Sequence, residues 1–169
     1  MITEPLRQEH KELYPHVEEL RLAAEAVTED APDTLFPLIE SAYSFLMRGL
    51  IPHAQAEDRA LYPVVQRVMG APQTTATMSR DHVEVGRLTD ELGVLRSQIG
   101  GETLSSDQVR ELRRVLYGLY ALVKLHFAKE EEIYLPLLDA HLSAHEGKAM
   151  FESMEKAAHE AKEKLANFE

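Results

Sequence analysis

The sequence predicts an all-α protein: an antiparallel up-down four-helix bundle with an additional short C-terminal helix. Three observations carry this prediction. Apolar residues recur at helical spacings of three, four and seven along nearly all 169 residues. Gly and Pro gather at a few breaks, Ala31-Pro32-Asp33, Gly70-Ala71-Pro72 and Gly100-Gly101, with a softer stop at Gly147. No stretch alternates apolar and polar residues for long enough to read as a strand.

The breaks define four long segments, roughly 3–28, 34–69, 74–99 and 105–142, and a shorter Lys/Glu-rich one at about 147–167. Connections of a few residues favour antiparallel neighbours. The expected caps are Asp33 or Thr34, Thr74 or Thr75, and Ser105 or Ser106, the last within the capping-box pattern Ser105-Ser106-Asp107-Gln108. Pro52 lies inside the second segment and is expected to kink or divide it, because it removes a backbone donor. The expected division of the chain is a bundle over 1–142 and a helical extension over 143–169. That extension carries an amphipathic face, Met150, Phe151, Met154, Ala157, Ala158, Ala161 and Leu165, suited to capping the bundle or to a weak dimer.

Composition narrows the function. Lys plus Arg is 18 and Asp plus Glu is 29, a net charge of −11 that argues against nucleic acid or an anionic membrane as partner. The absence of Cys removes thiolate metal sites, iron–sulfur clusters and Cys nucleophiles together. No apolar run approaches the roughly 20 residues of a membrane span. The opening MITEPLRQEHKE is charged from its fourth residue and does not read as a signal peptide, so a cytoplasmic monomer or weak dimer is expected.

Each inward stripe is interrupted by a polar residue. The first reads Leu6, His10, Leu13, Val17, Leu20; the third reads Met78, His82, Val85, Leu88, Leu92. The second runs Leu46, Leu50, His53, Glu57, Leu61, Val64, Val68, and the fourth Leu119, Leu122, Val123, His126, Glu130, Ile133, Leu137. Burying such groups unpaired costs several kcal/mol each, so something must compensate them.

Repetition makes the set specific. His10 precedes His53 by 43 residues and His82 precedes His126 by 44. The strings HAQAEDRALYPVV and HFAKEEEIYLPLL align without a gap from their first His, and an acidic residue stands before both His10 and His82. The chain therefore reads as two helix hairpins of one plan, each supplying His and then His-x-x-x-Glu. The i, i+4 spacing stacks each Glu one turn beyond its own His. Imidazole plus carboxylate without thiolate suits Fe, Mn or Zn, and two His per metal with Glu57 and Glu130 as bridges favours a pair of non-haem irons. The Glu-x-x-His scheme of ferritin-like bundles and the His-Glu-x-x-His protease signature are both absent. His16, His141, His145 and His159 are expected on the surface.

The pattern His10, His53-x-x-x-Glu57, His82, His126-x-x-x-Glu130 resembles the HHE cation-binding, or hemerythrin-like, family over about residues 3–140. The resemblance implies a left-turning four-helix bundle with all six residues as ligands of two oxo- or hydroxo-bridged non-haem Fe ions that meet O2, hydrogen peroxide or nitric oxide. The oxygen-carrying members have His-x-x-x-His on the third helix and His-x-x-x-x-Asp on the fourth. Here the corresponding positions are Gly86 and Glu130, which opens one coordination position. By the pseudo-twofold relation, the slot matching Gly86 is Tyr14, expected to reach the irons as ligand or hydrogen-bond donor. Peroxidase-type removal of peroxide or nitric oxide is the activity implied for stand-alone members. Reversible O2 or NO binding, sensing, and iron buffering are the alternatives.

Overall fold

The computed structural model describes residues 1–30, 32–100 and 103–166, and every regular element among them is helical. Five helical rods follow one another: α1 (Glu4–Ala26), α2 (32–69), α3 (Ala76–Ser97), α4 (106–141) and α5 (Ala144–Ala166). Helix α1 packs on α2 and α4, and α3 packs on the same two, so the four long helices close a ring. Helix α5 lies outside the ring along α2.

The helix ends follow local chemistry. Ser105 caps α4 through a full capping box, its Oγ accepting from Gln108 N at 3.2 Å while Gln108 Oε1 accepts from Ser105 N at 2.8 Å. Gly70 closes α2 in the left-handed conformation, at φ 69°, which only glycine adopts without strain. Two expected caps differ. Helix α2 begins at Pro32, ahead of Asp33 and Thr34, because proline suits a first turn that needs no backbone donor; the preceding Ala31 lies outside the described residues. Thr75 precedes α3 without capping it, since its hydroxyl accepts from Gln66 Nε2 at 2.7 Å.

The expected stop at Gly147 is not a stop. Helix α5 starts at Ala144 behind a second capping box, in which Glu146 N donates to Ser143 Oγ and Ser143 N donates to Glu146 Oε2. Gly147 sits in the first turns because the N-terminal segment presses on it: a Cβ there would lie 2.2 Å from Ile2 Cγ2. The apolar face of α5 is spent within the chain, where Met150, Met154 and Ala157 join the same core cluster as Ala56, Ala60 and Leu61 of α2.

Pro52 does not divide α2. Instead the helix widens into π-helical turns at Leu46–Leu50 and Glu57–Leu61, and α4 does so at Glu130–Tyr134. In each, the residue before a proline donates five residues back: Ile51 to Leu46, Tyr62 to Glu57, and Leu135 to Glu130. A proline ring clashes with the carbonyl four residues behind it, and a wider turn relieves that clash. Pro15 in α1 and Pro37 in α2 carry no such turn, so proline permits the widening without imposing it.

Each wide turn advances the inward face by one residue. After Glu130 the expected inward pair was Ile133 and Leu137, yet Ile133 is 56% exposed and Leu135 and Leu138 are the buried residues. After Glu57, Tyr62 and Val65 are buried beside Leu61, and Val64 and Val68 are only half-buried. The result is a polar layer between two apolar ones. On one side lie Val17, Leu20, Leu46, Leu88, Leu116 and Leu119; on the other lie Leu6, Leu61, Val65, Met78, Leu135 and Leu138. The register shift is tested by a pair of truncations. Leu135→Ala is expected to lower unfolding stability by about 2–5 kcal/mol and Ile133→Ala by less than about 0.5 kcal/mol in urea titrations.

Candidate metal centre

The polar layer brings His10 of α1, His53 and Glu57 of α2, His82 of α3, and His126 and Glu130 of α4 to one point. Two donor sets result, each with its ligand atoms within 4.8 Å of one another: His10, His53, Glu57 and Glu130, and Glu57, His82 and His126. Glu57 joins them. Its Oε1 lies 3.0 Å from His53 Nε2 and 3.8 Å from His10 Nε2, and its Oε2 lies 3.2 Å from His82 Nε2 and 3.9 Å from His126 Nε2. Glu130 spans the same gap, with Oε2 3.4 Å from His10 Nε2 and Oε1 3.5 Å from His126 Nε2.

Four outer carboxylates aim the imidazoles. The Nδ1 of His10 faces Glu131 at 2.8 Å, that of His53 faces Glu9 at 3.0 Å, that of His82 faces Asp58 at 2.9 Å and that of His126 faces Asp81 at 3.0 Å. Three of these Nδ1 contacts are hydrogen bonds and that of His53 is an ion-pair approach alone, and every Nε2 turns inward as a potential ligand atom. Each outer carboxylate neighbours one of the six residues in sequence but serves the next helix: Glu9 beside His10, Asp58 beside Glu57, Asp81 beside His82, Glu131 beside Glu130. The acidic residues before His10 and His82 were visible in the sequence, but their cross-helix partners were not. Arg7 in turn pairs with Glu131, and Lys129 with Asp81.

The six residues fit a metal on the chemistry of their unmet polar atoms. His10 Nε2, His53 Nε2, both Glu57 oxygens and Glu130 Oε2 are buried without a hydrogen-bond partner, although they face one another. His82 Nε2 and His126 Nε2 stand 3.0 Å apart. Inward-facing nitrogen and carboxylate lone pairs at this density suit cations, and the apolar interior around them offers no solvent in their place.

Tyr14 is not at this point. The inward face of α1 runs through Leu6, His10, Val17 and Leu20 with Leu13 half-buried, which leaves Tyr14 39% exposed with its hydroxyl toward Lys124. The tyrosine of the centre is Tyr62, which the sequence reading passed over. Its hydroxyl donates to Glu130 Oε1 at 2.7 Å and lies 3.2 Å from His126 Nε2 and 3.4 Å from His82 Nε2. Burial and the Glu57 and Glu130 carboxylates push its pKa upward, which keeps the phenol a proton donor. The signal was Pro63: the wide turn before it carries residue 62 inward, five positions after Glu57, where an ideal helix would use position four.

A cavity of ≈ 10 Å³, about the room of one water-sized molecule, adjoins the centre. Its walls include Leu50, Val85, Val123 and Phe127 with His53, Glu57, His82 and His126. His16, His141, His145 and His159 are exposed, and His141 Nδ1 pairs with Leu137 O at 2.8 Å.

A ring of helices enclosing a buried histidine–carboxylate donor cluster defines a metal-binding bundle. The family model described as the hemerythrin HHE cation binding domain matches residues 1–106 and 92–169, and the chain belongs to that family. No curated relative and no solved structure matches the chain.

Without a metal, the electrostatics of the centre favour protonated imidazoles beside ionised carboxylates. Burial opposes the charged imidazole, but Glu130 and Glu57 outweigh it and raise His10 to about 9 and His126 to about 10. His53 is raised well above its usual value against the same burial, chiefly by Glu57. Glu57 is held well below the carboxylate range despite burial, chiefly by His53. A raised folded-state pKa stabilises fully below the unfolded value near 6.5 and is lost as pH climbs through the folded value. The apoprotein is therefore expected to melt at progressively lower temperature between pH 7 and 10, and loading with a divalent ion at pH 7 should release protons, measurable by calorimetry in two buffers.

Proposed function

We propose that the chain is a non-haem di-iron protein that binds and reacts with hydrogen peroxide or nitric oxide, with peroxidase-type removal of these species as its activity. The ring of helices is read as the antiparallel up-down bundle that its short connections favour. One observation carries the proposal: two donor sets sharing Glu57, each with two inward Nε2 atoms, beside a cavity only large enough for a very small molecule. When bound, the irons would supply electron transfer to and from such a ligand, together with Lewis acidity.

The chain's own residues have distinct tasks in this reading. His10 and His53 would hold one ion, and His82 and His126 the other, while Glu57 and Glu130 span them. The outer carboxylates Glu9, Asp58, Asp81 and Glu131 hold the imidazole tautomers and raise their basicity. Leu50, Val85, Val123 and Phe127 keep bulk water from the cavity, and the Tyr62 hydroxyl holds a proton on Glu130 Oε1 within the centre.

The deciding test is metal content joined to turnover. Two irons per chain and catalysed loss of hydrogen peroxide are expected, with activity abolished in His53→Ala and Glu130→Ala. A peroxide-inert protein whose spectrum changes reversibly on deoxygenation would instead establish ligand carriage. Asp58→Asn should weaken iron affinity by about 10–100-fold without unfolding the apoprotein, read by chelator competition and circular dichroism.

A further inference from the structure

We propose that the two donor sets are unequal: the His10/His53 set takes the first metal ion tightly, the His82/His126 set holds the second loosely, and the Tyr62 phenol creates the difference. This rests on the dinuclear reading above. The first set offers four donors, all buried, and the second offers three, of which His82 is partly exposed. By the internal repeat, Glu130 should serve both sets as Glu57 does. Toward the second it is the weaker donor, because its Oε1, the oxygen 3.5 Å from His126 Nε2, already accepts from Tyr62. Its Oε2, facing His10, is unengaged, as are both oxygens of Glu57. The residue matching Tyr62 in the second hairpin is Leu135, which has nothing to donate to Glu57. The Tyr62 hydroxyl thus breaks the pseudo-twofold symmetry at the bridging carboxylates.

The surroundings point the same way. Phe127 stacks on His10 at 4.4 Å and meets His53 edge-on at 5.9 Å, and the small cavity is walled by both histidines of the second set but by only His53 of the first. One turn beyond His82, nothing lies within 4 Å of where a Cβ on Gly86 would stand. A small anion or diatomic therefore meets the second, loosely held ion, and Tyr62 is the positioning residue that keeps that ion short of donors.

Anaerobic titration of the apoprotein with Co2+, followed by its visible absorption, reads both sets without redox chemistry. Two steps are expected, their dissociation constants separated by about tenfold or more. Tyr62→Phe frees Glu130 Oε1 and should tighten the second step alone, bringing the ratio below about threefold. His82→Ala should remove only the weaker step, and His53→Ala the tighter one. Azide added to the two-cobalt protein should perturb only the absorption that grew in the second step. Two equal steps in the native chain, or an unchanged ratio in Tyr62→Phe, overturns the proposal and leaves the dinuclear reading standing; one cobalt per chain overturns both. Should Tyr62→Phe fail to fold, the histidine variants decide: equal effects of His82→Ala and His53→Ala on both steps overturn the proposal.

Discussion

Two carboxylates buried side by side in the middle of a helical bundle impose the constraint on which the rest of this structure depends. Like charges in a low-dielectric interior repel strongly, and neither Glu57 nor Glu130 has a cationic Lys or Arg against it. The four imidazoles face them, with the Tyr62 hydroxyl on Glu130. The layer is balanced by protons on those imidazoles or by cations between them, and a cation suits the inward lone pairs better. The outer carboxylates, the wide helical turns and the position of Tyr62 are all arranged around that requirement.

Folding and chemistry are spatially separated as a consequence. The apolar layers on either side of the centre bury residues such as Leu20, Leu46 and Leu119 on one side and Leu61, Val65 and Leu138 on the other. These supply the burial that drives collapse, roughly in proportion to apolar area removed from water. The middle layer contributes only to the extent that its charges are matched. Helix α5 adds apolar cover behind α2, backing the segment that carries His53 and Glu57.

The six inward polar residues were legible because two hairpins repeat them in register, a coincidence that no single His-x-x-x-Glu provides. The helical class and most boundaries were legible from periodicity and from Gly and Pro. Two features were not. Symmetry between the hairpins points to Tyr14, whereas α1 presents Leu13 and Val17 inward and leaves residue 14 at the side. Tyr62, Leu135 and Leu138 escaped because the π-helical turns shift the face by one residue, and the only sequence trace of that shift is a proline six residues after each Glu. The early start of α5 escaped because Gly147 reads as a break until the close approach of Ile2 is known.

The outer carboxylates run around the bundle as a closed circuit: α1 supplies His53 on α2, α2 supplies His82 on α3, α3 supplies His126 on α4, and α4 supplies His10 on α1. Two of these links lie within a hairpin and two cross between hairpins. Neither hairpin alone can orient both of its own histidines, but two copies of one hairpin, related by a twofold axis, would complete each other's. The circuit therefore closes only when both hairpins are seated against each other, and displacing either one would misalign a histidine in the other.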